Sequence, residues 1–290
     1  MNEVADDRLQ RLRAEGGFFA ARGISRFAVI GADRLRYLNG QLSNDLRKLA
    51  PGAAMQACVL SAKGRLDAVV WVWSKAERLI VECDASLAEP LAMRLERYIV
   101  ADDVEVAPLP PAGAVHVFGP ASKAFAGIRI ARIGVQGVDV GDDVRPDCLE
   151  ATQDDVERLR IERRIPRWGA ELGADTLPAE AGLDATAVDF HKGCYIGQEV
   201  VSRIRSVGHA NRALRVFDVI GGESPTPGAE FFTTGESSRA AATVTSVHFA
   251  LSSAIGLCYI RRGTAEGAVL ESSPGPSRIQ LRQPECVQPS

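Results

Sequence analysis

One cysteine of this chain stands in a setting suited to chemistry. Residues 191–199 read His-Lys-Gly-Cys-Tyr-Ile-Gly-Gln-Glu, so Cys194 lies between Gly193 and Gly197, two residues after Lys192 and five before Glu199. Glycine lets the backbone turn sharply or approach a ligand closely. A lysine charge favours the thiolate, which is the reactive form of the thiol. Free cysteine often packs as a small hydrophobe, but Lys192, Gln198 and Glu199 suit a core poorly. The segment therefore reads as a loop that presents sulfur. The other cysteines, at 58, 83, 148, 258 and 286, are scattered without a Cys-x-x-Cys pair, which argues against a structural zinc site or a disulfide framework. Cys58, Cys83 and Cys258 lie in apolar strand-like runs and are expected to be buried; Cys286 lies in a tail, Ser272 to Pro276 and then Gln283 onward, that is expected to be loose. One isolated cysteine cannot supply the several ligands of a metal site, so no stably bound metal is predicted. A cysteine hydrolase or transferase would need a histidine base from among His116, His191, His209 and His248; only His191 is near in sequence, and loop proximity alone does not bring ring to sulfur.

The elements that must hold this loop are legible in outline. Phe27 to Ile30 is a short strand, and Asp33 is placed to cap a helix that buries Leu35, Leu38 and Leu42. Residues 53–60 and 66–73 read as paired strands around Ser-Ala-Lys-Gly-Arg, with Trp71 and Trp73 as core aromatics. Leu79 to Cys83 continues the meander, and Leu87 to Tyr98 is a helix with Leu91, Leu95 and Tyr98 on one face. Short strands follow at 102–106 and 114–118, then a helix over 153–165 ended by Pro166. A loop at 177–183 carries Glu180, and residues 199–204 form a helix or extended segment. Beyond Gly208 short strands at 214–220, 230–233, 242–248 and 254–260 alternate with glycine and proline breaks, the texture of a small barrel or sandwich.

At 290 residues the chain is long enough for two or three domains. A net charge of −3 argues against a general nucleic-acid coat, and the longest apolar runs fall far short of a membrane span. No apolar leader is visible, and Asp6, Asp7 and Glu15 speak against a transit peptide. The expected location is a reducing cytoplasm, with neither nucleic acid nor membrane as partner.

Residues 192–199, Lys-Gly-Cys-Tyr-Ile-Gly-Gln-Glu, match throughout the hallmark of the YgfZ-type folate-binding proteins of iron–sulfur cluster assembly. These are relatives of the glycine-cleavage T-protein, an aminomethyltransferase. The resemblance extends to residues 37–45 (Tyr-Leu-Asn-Gly-Gln-Leu-Ser-Asn-Asp), 63–67 (Lys-Gly-Arg-Leu-Asp), 178–183 and 244–246. It implies an α+β fold of three domains in a ring: a first α+β domain from 1–50 and 145–207 carrying the cysteine motif, an inserted α+β domain over 51–144, and a C-terminal β-barrel over 208–290. It also implies a tetrahydrofolate or one-carbon derivative as cofactor. Glu180 would bind the pterin edge, with Asp67, Arg203 and Arg205 as further folate contacts. Cys194 would be the working thiol near the hole, and Lys192 would favour its thiolate or meet the glutamate tail. Tyr195 would pack beside the pterin, and Gln198 and Glu199 would fix the loop. Transient iron–sulfur client or assembly proteins are the implied partners. The alternative is a folate-dependent aminomethyltransferase or demethylase. T-proteins carry paired aspartates on the strand that matches Leu66 to Trp73, and here Asp67 is followed by Ala68.

Overall fold

A computed structural model of the chain describes residues 2–283 apart from 112, 207, 237, 251, 252 and 274. In chain order the elements are α1 (Asn2–Ala14), β1 (Gly17–Ala21), β2 (Ile24–Ile30), α2 (Arg34–Gln41), β3 (Met55–Leu60), β4 (Leu66–Lys75), β5 (Arg78–Asp84), α3 (Ala88–Glu96), β6 (Glu105–Pro108), β7 (Ala114–Phe118), β8 (Ile128–Arg129), β9 (Gly137–Val140), α4 (Gln153–Glu162) and α5 (Gln198–Ser206). Six strands complete the chain: β10 (Arg212–Gly221), β11 (Glu230–Thr233), β12 (Ala242–Ala250), β13 (Ser253–Arg261), β14 (Val269–Ser272) and β15 (Arg278–Leu281).

The five-stranded sheet β3-β4-β5-β2-β6 is antiparallel throughout. Strand alternation on β4 decides its two faces. Ala68, Val70 and Val72 point into a core shared with Tyr37 and Leu38 of α2 and Leu91 and Leu95 of α3. Asp67, Val69 and Trp71 take the opposite, half-buried face. The four-stranded sheet β1-β7-β9-β8 packs beneath α1 and α4 through Leu12, Phe118 and Leu159. A buried charge cluster joins the sheets: Arg132 pairs with Glu82 and Asp139, Arg26 pairs with Glu82, and the His116 Nδ1 lies 2.9 Å from Asp139. Removal of one member would leave an uncompensated charge inside, so the cluster ties the layers in one arrangement.

The C-terminal strands close a barrel in the order β10-β13-β12-β11-β14-β15, filled by Phe217 and Phe231. Helix α4 docks on it through Ile161, packed against Leu214, Val216 and Leu257, and through the Arg160 guanidinium. Arg160 donates to Glu171 (2.9 Å) and to the Ser246 hydroxyl (2.9 Å), and Tyr259 donates to the Glu171 carbonyl (2.9 Å).

Mixed α/β layers with a terminal β-barrel agree with the expected fold class. Sheet membership does not follow the boundary expected at residue 50, because β1 and β2, both within 1–50, enter different sheets. Several local expectations also shift. Residues 2–14 form a helix that the mixed composition did not reveal. Leu35 and Tyr98 are exposed, and the Tyr98 ring lies under the Arg94 guanidinium at 4.3 Å. Asp33 does not cap α2 with its side chain; its carboxylate accepts from the Asp103 amide, so Asp102 and Asp103 brace α2 and the strand begins only at Glu105. Between the two segments expected to be loose, β15 pairs with β14 in the hairpin that closes the barrel, and Ser272 ends β14. Trp73 is buried and Trp71 half-buried against the same small cluster, as core aromatics. Cys286 lies outside the described residues.

Candidate functional site

Three distant stretches meet beneath Cys194. The loop following α2 runs along β3, where the Ser43 hydroxyl accepts from the Cys58 amide (2.8 Å) and donates to the Ala187 carbonyl (2.6 Å). Asn44 donates its amide to the Gln56 carbonyl at 2.8 Å. Asp189 takes the Lys48 ammonium and the His191 amide, which fixes the chain just before Lys192. Lys192 is buried, and its Nζ donates to three backbone carbonyls: Asn39 (2.7 Å), Leu42 (2.6 Å) and Asn44 (2.7 Å). An ammonium has three donors, and here all three are occupied. Burial pulls the Lys192 pKa down to about 8, opposed by the Asp45 and Asp189 carboxylates. The expected contact of this charge with the thiolate or a glutamate tail is therefore replaced. Lys192 clamps the cysteine loop to the end of α2.

The far side of the loop is set by Gly197. Its φ is +84°, and a Cβ there would stand 2.6 Å from the Ser61 carbonyl and 3.1 Å from Leu60. The β3–β4 turn and the start of α5 thus touch backbone to backbone, and Gly64, at φ +70°, faces Val200 equally closely. Gly197→Ala is expected to cost about 3 kcal/mol, from positive-φ strain and a backbone clash, read as a lower denaturation midpoint.

Between these two anchors Cys194 is exposed, whereas Cys58, Cys83 and Cys258 are buried, with burial pushing each of those thiols up to about 12. The space about Gly193 is open. Tyr195 turns inward instead, into a cluster with Cys58, Leu60, Leu66 and Val201. Its pKa is pushed to about 12 by burial, and its hydroxyl has no hydrogen-bond partner among the described residues. It is a core residue of the loop rather than a wall for a ring. Gln198 and Glu199 open α5, and neither side chain makes a hydrogen bond among the described residues; the loop is fixed by Lys192 and Gly197 in their place.

Glu180 lies in a cavity of about 550 Å³ between the 170–180 segment and the barrel, lined also by Glu171, Arg212, Arg239, Tyr259 and Arg261. It is buried at the 3₁₀ turn Pro178–Glu180. One oxygen, Oε2, accepts from the Arg212 Nε (3.0 Å) and the Leu177 amide (3.2 Å). The other, Oε1, has no partner among the described residues. Arg212 is itself held over the Tyr259 ring at 4.3 Å. Such a carboxylate can accept from a donor edge of a ligand while staying ion-paired.

The remaining candidates scatter. Asp67 accepts from the Arg94 Nε at 3.1 Å, and Arg94 also donates to Gln41 (3.1 Å) and the Leu60 carbonyl (3.1 Å). Arg205 stacks on Phe190 at 3.9 Å, and Arg203 is exposed on α5. Cys194 lines neither the Glu180 cavity nor the neighbouring cleft of about 510 Å³ that includes Arg205. Among the described residues no group of three or more histidine, cysteine, aspartate or glutamate side chains is placed to hold a metal ion. Asn39, Ser43, Asn44 and Arg212 also hold the site, and residue type alone assigns none of them a role. The first three lie inside the 37–45 block, so their signal was present; Arg212 carries none, because an arginine on a barrel strand gives no hint of a partner 32 residues back.

No family model matches the chain. Over 203 residues it is 28% identical to an iron–sulfur cluster assembly factor IBA57 homolog, mitochondrial, of Phaeosphaeria nodorum, covering 61% of this chain and 49% of that protein. A Pyricularia oryzae protein of the same name is 29% identical over 215 residues, 66% of this chain and 54% of the relative. The chain thus spans about half the length of these two curated relatives. The tRNA-modifying protein YgfZ of Yersinia pseudotuberculosis is 26% identical over 232 residues, covering 69% of this chain and 70% of that one. Among solved structures, the glycine cleavage system aminomethyltransferase T of Bartonella henselae superposes with a TM-score of 0.79 at 18% identity, over 96% of this chain and 88% of that one. That match shows the shared fold. The chain is thus similar in sequence to relatives of both names, YgfZ and IBA57, and shares the fold of the aminomethyltransferase structure.

Proposed function

We propose that this protein supports the assembly or repair of iron–sulfur proteins, holding a reduced folate at Glu180 and presenting Cys194 as its working thiol. The observation that carries the reading is the placement of Cys194: it is the exposed thiol among the described cysteines, on a loop anchored at Lys192 and Gly197. A rigidly presented thiolate can coordinate an iron of a cluster in transit and give it up when a client thiolate takes its place, without a change of oxidation state. The cluster is cargo in this reading, and the client docks transiently. Relatives named as iron–sulfur cluster assembly factors support it. For the folate, the support is the Glu180 cavity, whose volume falls in the range of small-ligand sites. The free oxygen of Glu180 can accept from the amino-pyrimidinone edge of a pterin. The reading needs a reducing compartment, and the cytoplasm is the proposed one. No helix among the described residues is long and apolar enough to cross a membrane.

Calorimetric titration with tetrahydrofolate and its formyl and methylene forms tests the folate half. At least one form is expected to bind, and Glu180→Ala to weaken it about tenfold or more, the scale of one charged hydrogen bond left unmade. Absence of binding by every form removes folate from the reading.

One-carbon transfer is the second reading, favoured by the shared fold and by Glu180. Against it stands position 68. Ala68 is fully buried among Val70, Val72 and Leu38, so a second carboxylate there would be desolvated in the core. Turnover of a methylamine donor with tetrahydrofolate would favour it.

A further inference from the structure

His116 is a buried titratable group that the proposed function leaves unused. Its side chain, on β7, is shut off from solvent. Its Nδ1 lies 2.9 Å from the Asp139 Oδ1 on β9, and a carboxylate can only accept, so Nδ1 carries the proton of the neutral ring. Nε2 is then a bare acceptor, buried without a partner among the described residues. Gly137 comes close on that side, since a Cβ there would stand 2.7 Å from Nε2 and 2.5 Å from Cε1. The Phe19 ring meets the imidazole edge-on at 5.1 Å, and the Phe118 ring stacks on it at 6.4 Å.

The charged groups facing the ring are Asp139, Arg132 of the β8–β9 loop and Glu82 of β5, with Arg26 of β2 bound to Glu82 behind them. The two guanidinium and two carboxylate charges balance when the imidazole is neutral. Arg132 is the piece that spans the sheets. Its Nη1 meets the Glu82 Oε1 of the five-stranded sheet at 2.7 Å, and its Nε meets the two Asp139 oxygens of the four-stranded sheet at 3.0 and 3.1 Å. Beside this tie, Ile128 packs against Ala28, Trp73 and Ile80, and Arg129 exchanges backbone hydrogen bonds with Gly52 and Ala54. A second proton on His116 would sit on Nε2 with no acceptor and would add an unmatched charge beside Arg132. Burial accordingly holds the His116 pKa below its ordinary value, against the pull of Asp139 and with the Arg132 charge adding to it.

We propose that His116 is an acid-sensitive latch at the seam of the two sheets: the neutral ring leaves Arg132 gripping both Glu82 and Asp139, and a proton taken up at Nε2 opens β7 and β9 away from β5. The open form binds that proton more readily than the closed one. The closed seam is therefore fully favoured above about pH 6.5 and loses ground as the pH falls below it. A single proton changes the opening equilibrium by at most about tenfold per pH unit. The inference rests on neither Cys194 nor Glu180.

Amide hydrogen exchange of β7 and β9 in the full chain, followed by mass spectrometry between about pH 7.5 and 5, is the test. After correction for intrinsic exchange, opening in the wild type is expected to rise roughly five- to tenfold per pH unit below about 6.5. His116→Asn keeps an amide donor for Asp139 but takes up no proton. Its opening is expected to change less than about twofold over the same range, whatever its level at neutral pH. A second measurement stands without that variant. With 13C at the histidine Cε1, and the signals assigned by replacing His191, His209 and His248 in turn, the His116 signal is expected to keep its neutral position for as long as β7 and β9 stay protected. A wild-type slope equal to that of the asparagine variant, or a His116 signal that titrates near pH 6.5 with both strands still protected, overturns the proposal.

Discussion

Cys194→Ala is expected to abolish support of a cluster-dependent enzyme in a complementation assay while leaving the fold intact. Cys194 is exposed, so truncation opens no cavity, and the change in stability should stay within about 0.5 kcal/mol. The loop keeps its anchors, because Lys192, Gly197 and the inward-facing Tyr195 are untouched. A loss of activity without a loss of melting temperature therefore isolates the sulfur itself. Alkylation gives an independent check: in the wild type Cys194 should react first, while Cys58, Cys83 and Cys258, buried and with thiols pushed to about 12, stay unmodified until unfolding. Full complementation by the alanine variant would refute the role of the thiol.

Lys192→Met should produce the larger structural effect. The methionine fills similar space but strands the carbonyls of Asn39, Leu42 and Asn44. Each unmet buried acceptor costs about 1–3 kcal/mol. Removal of a buried charge offsets part of this, since burial already holds the Lys192 pKa down to about 8. The net loss should be about 2–4 kcal/mol, visible as a lower denaturant midpoint. Alkylation of Cys194 at fixed pH should change too, because the loop loses its tie to α2. Lys192→Arg is not expected to rescue, since a planar fork cannot serve three carbonyls arranged around a tetrahedral nitrogen. A methionine variant with wild-type stability and an unchanged Cys194 reaction rate would mean that the clamp does not hold the loop.

These two experiments divide a motif that reads as one unit in sequence. Within residues 192–199 the structure assigns separate tasks: Lys192 to the end of α2, Tyr195 to the core, Gly197 to the β3–β4 turn, and Cys194 to solvent. The Arg94 network distributes Asp67 similarly. The resemblance makes its carboxylate a folate contact, yet it is bound to a guanidinium that also holds Gln41 and the Leu60 carbonyl.

Local chemistry determined much of the framework without further help. Alternation in residues 66–73, the spacing of Leu91 and Leu95, and the glycine-punctuated strands after residue 208 each specify their element, because period and turn chemistry act over a few residues. The same local reading marked Cys194 as a presented thiol, since its polar and glycine neighbours are unsuited to a core. What lay beyond it was every relation between distant positions. The Lys192 clamp spans about 150 residues, the Glu180–Arg212 pair joins a turn to a barrel strand, and the cluster around His116 draws on β2, β5, β7 and β9. A side chain's partner depends on where the backbone folds back, and that is settled by packing over the whole chain. Composition gave −3 for the molecule; only the tertiary arrangement gathers Arg26, Arg132, Glu82 and Asp139 around one buried histidine.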